Sequence, residues 1–217
     1  MLVTYYDVSN SMESFIALAN SNIPIIVFTD PSLVNNFTFP SVQVIGVSLS
    51  EFELYSIAIK YNRNLPDNCT KENLSIINTK IEFIKKASEL VQDETFIWID
   101  FEFLNRVKNP ERVINKLKVI NQTRFKHVTI PGCWGFGRPF SVNSLNMRFH
   151  GYFFIIPRQS IDTFYNHSKN VLNDFCTLPQ YTLTWETNVW YIIEFCVKDH
   201  TIDWYFGEND DAVLNLL

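Results

Sequence analysis

The sequence contains few cysteines and few glycines, four and six among 217 residues. The cysteines are Cys69, Cys133, Cys176 and Cys196. They include no C-x-x-C pair, which argues against a zinc site or a disulfide framework and favours a reducing compartment. The sequence also lacks a G-x-G-x-x-G fingerprint and a P-loop, so it gives no support to a Rossmann cofactor-binding protein or an NTPase.

Basic clusters and long apolar runs are absent as well. The net charge is −5 and the pI is about 5.4, which predicts no nucleic-acid partner. No apolar run reaches the roughly 18 residues of a membrane span, and the start of the chain lacks the pattern of a signal peptide. We therefore expect a cytoplasmic protein. The 19 phenylalanines, with many asparagines and isoleucines, are typical of an AT-rich genome such as a viral one, in which case the compartment is the host cytoplasm.

What is present is the apolar patterning of a globular protein, with 47% hydrophobic residues. The length favours a single domain covering 1–217. Predicted strands cover 2–6, 23–28, 42–47, 95–99, 128–130, 149–156 and 202–206. Predicted helices cover 12–19, 51–60, 71–91, 110–120, 160–172 and 185–196. Continuous apolar strands that alternate with helices predict an α/β fold with a Rossmann-like, mostly parallel central sheet flanked by helices. The second half is predicted to add α+β elements.

An acidic pair follows one of the predicted buried strands. Asp100 comes directly after 95–99, at the strand end where open α/β sheets bind ligands. If the chain stays extended, Glu102 points to the same side as Asp100. Two such carboxylates can hold a divalent cation, Mn²⁺ or Mg²⁺, and the cation can hold a diphosphate. The alternative is that Asp100 caps the next helix while Glu102 is solvated.

Three further positions are candidates for ligand recognition. Asp30 follows the strand 23–28 and could accept hydrogen bonds from a base or ribose, or it is a turn residue before Pro31. Arg148 could clamp a phosphate, or it extends from an edge strand into solvent. Gly151 could let a ligand approach the backbone closely.

Three other segments could contribute to catalysis or binding. Glu186 lies in the first turn of a predicted helix, where it could act as a general base or accept a sugar hydroxyl, or could simply suit the helix dipole. The acidic end at 208–211 could supply a last metal ligand or be a solvated tail. Trp134 and Phe136, in the loop 131–138, offer flat surfaces for sugars on a candidate mobile lid.

The order of these segments resembles the HtrL/YibB family. The resemblance lies in 78–84, 98–101, 148–154, 184–190 and the acidic end 208–211, and the opening 3–7 and the strand end 27–30 also fit. It spans nearly the whole chain. Its most specific parts are Trp-Ile-Asp-Phe at 98–101 and Thr-Trp-Glu-Thr-Asn-Val-Trp at 184–190. The bacterial members are associated with surface-polysaccharide gene clusters, and the family is similar to nucleotide-sugar glycosyltransferases of the GT-A kind.

The resemblance implies a single GT-A-like domain with a nucleotide-binding half, 1–105, and a donor-sugar and acceptor half, 106–217. It implies a Mn²⁺ or Mg²⁺ site formed by Asp100 and Glu102, with Asn209 and Asp210 as late ligands. A histidine would be expected in this acidic end, and this chain has none there.

The resemblance also implies where the donor and acceptor bind. The residues implied for the nucleotide sugar are Thr4, Asp30, Lys80, Asp100, Arg148, Gly151 and Asn188. Lys80 would pair with phosphate, and Glu186 would be the acceptor-side base beside the catalytic metal residue Asp100. The expected partners are a nucleotide-diphosphate sugar and a glycan or protein acceptor. The alternatives are a non-catalytic nucleotide-sugar or glycan-binding protein, favoured by the missing histidine, and a metal-dependent phosphohydrolase.

Overall fold

The structure is a computed structural model that describes residues 1–135, 141–146, 148–196, 202–207 and 211–216. Within these residues, seven strands form one sheet. The strands are β1 (Leu2–Tyr6), β2 (Ile25–Thr29), β3 (Val42–Gly46), β4 (Thr95–Ile99), β5 (Val128–Gly132), β6 (Phe153–Pro157) and β7 (Ile202–Phe206). The bounds of β1, β4 and β7 are those predicted from the sequence, and β2, β3 and β5 shift by one or two residues.

The strand order is β3-β2-β1-β4-β6-β5-β7. The first four strands are parallel, β6 is antiparallel to both its neighbours, and β5 and β7 are parallel to each other. The predicted α/β class with a mostly parallel sheet is therefore confirmed, and the pairing of β4 with β6 joins the halves 1–105 and 106–217. The chain leaves β1 towards β2 and returns on its other side as β4, so the order reverses between β1 and β4. Such a reversal is where open α/β sheets bind ligands.

Helices cover both faces of this sheet. They are α1 (Met12–Ala19), α2 (Glu53–Ala58), α3 (Lys71–Asn78), α4 (Lys80–Leu90), α5 (Pro110–Asn121), α6 (Ile161–Thr177), α7 (Glu186–Cys196) and α8 (Asp211–Leu214). Apolar residues of α2, α3, α4, α6 and α7 pack in one core cluster, and those of α1, α5 and α8 pack in the other. Because both faces are covered, the central strands are apolar at nearly every position. None of the described helices is both long enough and apolar enough to cross a membrane.

An aromatic row fixes α4 over the central strands. Phe83 of α4 stacks on Tyr5 of β1 at 5.0 Å and on Trp98 of β4 at 5.9 Å between ring centroids. Trp98 in turn stacks on Phe154 of β6 at 6.4 Å. Stacked rings add to the energy gained by burying their area. The row therefore holds the start of α4 at the carboxyl ends of β1 and β4.

Two of the boundaries that the sequence pattern misplaces lie beside this edge of the sheet. The apolar stripe of 71–91 predicts one helix, but the chain breaks at Thr79, which ends α3 and precedes α4. Buried polar bonds hold the break, since the Asn78 amide donates to the Thr184 carbonyl at 2.8 Å. The predicted strand 149–156 begins only at Phe153, because His150 N donates to Pro131 O at 2.8 Å in a turn before β6.

Candidate functional site

A cavity of about 640 Å³ opens at the carboxyl ends of β1 and β4, where the strand order reverses. Its walls come from the loop after β1, the segment leading into α3, the first turn of α4, the turn after β4, the turn before β6 and the start of α7. β6 is antiparallel to β4, so the turn that precedes β6 lies at the same edge as the turn that follows β4. Side chains from distant parts of the sequence therefore meet in this cavity.

An ion cluster centred on Lys80 lies at the base of the cavity. The Lys80 ammonium lies 2.8 Å from Asp100 Oδ1 and 2.8 Å from Glu186 Oε1, and it donates to the Gly151 carbonyl at 2.8 Å. Lys80 and Glu186 are each 5% exposed. These three contacts use all three N–H donors of the ammonium. The predicted role of Lys80 as a phosphate partner is therefore not the arrangement seen, because its protons already serve the protein.

The electrostatics of the cluster follow from two carboxylates sharing one cation. Burial alone would lower the pKa of Lys80, but Asp100 and Glu186 together outweigh burial and raise it. Burial raises the pKa of Glu186, Lys80 opposes that rise, and Asp100 adds to it. With both carboxylates ionised, the cluster carries one negative charge in excess, which an added cation or a proton would relieve.

Gly151 is needed in this cluster for steric reasons. A Cβ built on Gly151 would lie 1.8 Å from Glu186 Oε1 and 2.7 Å from its Cδ. The prediction that Gly151 lets a ligand approach the backbone closely stays a prediction. In the structure the close neighbour of Gly151 is the Glu186 carboxylate, and Gly151 also lines the cavity.

Asp100 and Glu102 both line the cavity, but not as the extended pair expected from the sequence. β4 ends at Ile99, and Phe103 N donates to Asp100 O at 2.9 Å, so 100–103 is a turn. Trp98 Nε1 donates to Asp100 Oδ1 at 2.8 Å, and Ser11 N at the start of α1 donates to Glu102 Oε1 at 2.6 Å. Glu102 therefore tethers the loop after β1 to the turn after β4.

A metal site made only of protein ligands is not found among the described residues, since none of them form a group of three histidine, cysteine or acidic side chains around one point. The predicted late ligands Asn209 and Asp210 lie outside the described residues. The hydrogen bonds above engage Asp100 Oδ1 and Glu102 Oε1, not Asp100 Oδ2 or Glu102 Oε2. Mg²⁺ and similar cations are commonly held by one or two carboxylates with phosphate and water completing the shell. Asp100 Oδ2 and Glu102 Oε2 are therefore the oxygens that could hold a cation together with phosphate and water.

Arg148 does not lie in the cavity, and neither expectation for it is correct. It is fully buried, its Nε and Nη2 donate to Glu194 at 2.9 and 2.5 Å, and its Nη1 donates to the Trp134 carbonyl. Its guanidinium also lies 4.2 Å from the Trp204 ring centroid. Arg148 thus joins α7 to the segment after β5, which leaves it unavailable to a donor sugar.

Asn188 is also a structural residue in this arrangement. It is fully buried and lies outside the cavity. Its Oδ1 accepts from Asn146 N at 3.0 Å, and its Nδ2 donates to the carbonyls of Val142 and Ser144 at 3.0 and 2.7 Å. The side chain uses these bonds to fix the 142–146 segment against α7, which places it outside the cavity where a nucleotide sugar is expected.

Thr4 and Asp30 lie away from the cavity as well. Thr4 is fully buried in the middle of β1, on the same face as Leu2 and Tyr6, which pack against α1. Asp30 is exposed and caps the short 3-10 helix Pro31–Asn36 by accepting from Ser32 N at 2.9 Å. Hydrogen bonds from Ser32 hold the pKa of Asp30 below its usual value. The turn interpretation of Asp30 is the one observed. Phe136, predicted in a lid, lies outside the described residues.

The structure adds site residues that the sequence did not single out. Tyr5 lines the cavity, and burial with nearby Asp7, Asp30 and Tyr55 raises its pKa to about 12. Tyr5 lies next to the carboxyl end of a buried strand, the end at which α/β sheets bind ligands, and this position could have identified it from the sequence.

Arg106 is another such residue, and the structure also places His150 of the 146–151 segment in the cavity. Arg106 also lines the cavity, and it follows the acid-x-acid segment by four residues. His150 lines it too, with Nε2 3.2 Å from Cys133 Sγ. That contact joins residues 17 positions apart, and no sequence pattern shows it.

No protein-family model matches the chain, and no curated protein matches it either. The HtrL/YibB resemblance therefore stays a prediction.

Solved structures that resemble the chain include a glycosyltransferase involved in glycosylation of the major capsid of PBCV-1. It is 12% identical with a TM-score of 0.47, and the match covers 94% of this chain and 80% of that one. The glycosyltransferase GlyE of Streptococcus pneumoniae TIGR4 is 8% identical with a TM-score of 0.44, covering 94% and 44%. The bifunctional IspDF of Campylobacter jejuni is 12% identical with a TM-score of 0.41, covering 98% and 51%. With TM-scores below 0.5, these likenesses establish neither a family nor a function.

Proposed function

We propose that this protein transfers a sugar from a nucleotide-diphosphate donor to an acceptor hydroxyl in the cavity at the β1–β4 edge. The observation that carries the proposal is the meeting of Asp100, Glu102 and Glu186 in one cavity at the reversal of strand order. Its volume of about 640 Å³ lies within the range of small-molecule sites, about 300–1,000 Å³.

The charge of the cavity supports a cation-dependent donor. Among the described residues its acidic lining consists of Asp7, Asp67, Asp100, Glu102 and Glu186. Only two cationic side chains, those of Lys80 and Arg106, line the described part of the same cavity. An anionic diphosphate would be repelled from so acidic a wall unless a cation came with it. When bound by Asp100 and Glu102, Mn²⁺ or Mg²⁺ would stabilise the charge that develops on the departing nucleotide diphosphate.

The aromatic lining supports a ligand with flat rings. Tyr5, Trp98, Phe149, Tyr152 and Trp185 contribute to the walls. Aromatic side chains offer large apolar faces against which a nucleobase or a sugar ring can pack. The rings of Tyr5 and Trp185 are only partly buried, so a small phosphate ester would leave them in contact with water. The walls therefore favour a nucleotide sugar over the substrate of a simple phosphohydrolase.

In this proposal Glu186 accepts the proton of the acceptor hydroxyl. Burial raises the pKa of Glu186, which makes it a better proton acceptor than an exposed carboxylate. As the hydroxyl oxygen bonds to the anomeric carbon, the bond from that carbon to the diphosphate breaks, and the proton passes to Glu186. Attack from the face opposite the leaving group inverts the anomeric carbon. Lys80 is a positioning residue in this proposal, since its ammonium holds the Glu186 carboxylate.

The test of this role is Glu186→Gln, which keeps the shape of the side chain and removes its basicity. We expect transfer to fall by roughly 100-fold or more, the lower range for loss of a general base, with donor affinity nearly unchanged. The matched control is Glu111→Gln, an exposed glutamate that likewise lies in the first turn of a helix, α5. An unchanged transfer rate in Glu186→Gln would remove Glu186 from this role.

One observation favours a second function, binding of a nucleotide sugar without turnover. The Glu186 carboxylate is 5% exposed and engaged by Lys80, so little of it is open to an acceptor. Release of nucleotide diphosphate separates the two functions. A transferase releases it in step with glycosylation of an acceptor, whereas a binding protein retains the intact donor after long incubation with Mn²⁺.

A further inference from the structure

The proposed function leaves open which cationic side chain of the protein binds the donor diphosphate. The answer inferred from the structure rests on that proposed function. A diphosphate needs positive charge from the protein as well as from a divalent cation, because acidic side chains outnumber basic ones in the described cavity wall. The sequence favoured Lys80 and Arg148 for this task. The structure removes both, since Lys80 uses its three donors on the protein and Arg148 lies outside the cavity, paired with Glu194.

Unlike Lys80 and Arg148, Arg106 both lines the cavity and has an exposed side chain. It lines the cavity at the end of the 3-10 helix Phe103–Arg106, which directly follows the turn that holds Asp100 and Glu102. Its side chain is exposed, and it forms no ion pair with any residue that the structure describes. Arg106 is therefore available to an anionic ligand.

The backbone that carries Arg106 is firmly anchored. Phe103 and Leu104 of the same short helix are buried, and Phe103 stacks on Tyr152 at 5.6 Å and on Phe153 at 6.2 Å between centroids. The Arg106 guanidinium carbon lies 5.8 Å from the centroid of the Tyr152 ring. A guanidinium beside an aromatic ring keeps its edge N–H groups free for hydrogen bonds while the contact restrains its position.

We propose that Arg106 binds the diphosphate of the donor through its guanidinium edge. Two parallel N–H donors match two phosphate oxygens, which a lysine ammonium cannot do with the same geometry. Because Arg106 follows Glu102 by four residues, one segment presents both the acidic cation ligands and the guanidinium to the same diphosphate. The segment 100–106 is thus a diphosphate-binding element in which a cation and Arg106 neutralise the phosphates together.

The experiment measures binding of UDP, GDP, uridine, guanosine and inorganic pyrophosphate in the presence of Mn²⁺, by calorimetry and ligand-observed NMR. Wild type is compared with Arg106→Ala, Arg106→Lys and Arg124→Ala. Arg124 is an exposed arginine that precedes β5, so it lies at the opposite edge of the sheet. Its replacement by alanine removes the same charge as Arg106→Ala. Circular dichroism confirms that each variant is folded.

We expect Arg106→Ala to lower the affinity for the nucleoside diphosphate that wild type binds by roughly 10- to 100-fold, the effect of losing hydrogen bonds to a charged group. The matching nucleoside should bind as it does to wild type, Arg106→Lys should recover only part of the loss, and Arg124→Ala should change nothing.

Two results would overturn the inference in different ways. If wild type binds the diphosphate and Arg106→Ala binds it equally well, or loses the nucleoside to the same extent, Arg106 is not a diphosphate ligand while the proposed function stands. If wild type binds none of the five probes, the proposed function fails and the role of Arg106 fails with it.

Discussion

Replacing Lys80 by methionine tests the physical basis of the site. Methionine fills most of the volume of the lysine chain but leaves Asp100 and Glu186 facing each other without their shared cation. The two Lys80 contacts are both 2.8 Å, and the Glu186 carboxylate has almost no access to water. The variant therefore leaves the two carboxylates of the buried cluster without the positive charge that neutralises them.

The size of the effect follows from burial. Removing one partner of a buried ion pair costs about 3–5 kcal/mol. The Asp100 side chain is 27% exposed and keeps part of its hydration, so we expect the lower end, about 3 kcal/mol. Lys80→Met combined with Glu186→Gln removes the unpaired buried charge, so the double variant should be less destabilised than the sum of the two single variants.

The loss should depend on pH with a definite sign. Burial raises the pKa of folded Glu186, so the folded state takes up a proton more readily than the unfolded state. Without Lys80, which opposes that rise, the pKa of folded Glu186 should rise further. Protonation of Glu186 then reduces the destabilisation of the variant at low pH. The free energy of unfolding that the variant loses relative to wild type should therefore grow as the pH rises from about 5 to about 8. Wild-type Lys80 stays charged throughout this window, because its own pKa is raised.

The assay is urea denaturation of wild type and variants, followed by tryptophan fluorescence at several pH values. The control is Lys85→Met on the same helix, where Lys85 pairs with the exposed Asp162, so the cost should be within about 1 kcal/mol. If Lys80→Met also costs less than about 1 kcal/mol at pH 8, or costs more at pH 5 than at pH 8, the charge-sharing account of the cluster is wrong.

Two further predictions concern Gly151 and Arg148, which the sequence analysis predicted to bind a ligand. Gly151→Ala should destabilise the protein by about 1–3 kcal/mol, because the added Cβ overlaps the Glu186 carboxylate and must displace it from Lys80. Gly135→Ala is the control, since among the described residues its Cβ would meet Trp204 alone, at an ordinary 3.6 Å. Arg148→Met should destabilise by about 3 kcal/mol or more by leaving Glu194 unpaired, yet donor affinity of the folded protein should not change.

These two predictions have distinct contrary results. Equal thermal denaturation midpoints for Gly151→Ala and Gly135→Ala would mean that the Glu186 carboxylate does not lie against Gly151. A folded Arg148→Met protein that loses donor affinity, measured by calorimetry below its unfolding range, would return Arg148 to the binding site. Both results are measurable without an acceptor.

The sequence predicted the sheet well because its strands are continuous apolar runs, and burial on both faces requires such runs. It also placed Asp100 correctly, because a carboxylate directly after a buried strand must emerge at the sheet edge. It failed at Thr79, where the apolar stripe continues across the break between α3 and α4. The long-range bond that holds the break runs from the Asn78 amide to the Thr184 carbonyl, 106 residues away.

The sequence failed on the arginines for the same reason. Arg148 and Arg106 are both arginines close to turns, and local pattern does not distinguish them. What buries Arg148 is Glu194, 46 residues later, together with Trp204. Lys80 likewise meets Glu186 only through the fold. Long-range pairing of charged side chains decides which cations stay available to a ligand, and a local pattern cannot show it.

The most direct test of the central claim is calorimetric titration of UDP-glucose and GDP-mannose, with and without Mn²⁺, into wild type, Asp100→Ala and Asp30→Ala. Asp30 follows β2, the strand next to β1, but lies outside the cavity, so it is the matched control. We predict that at least one donor binds wild type and Asp30→Ala in a Mn²⁺-dependent manner, and that Asp100→Ala abolishes this dependence. Donor binding that is independent of Mn²⁺ and survives Asp100→Ala would contradict the account.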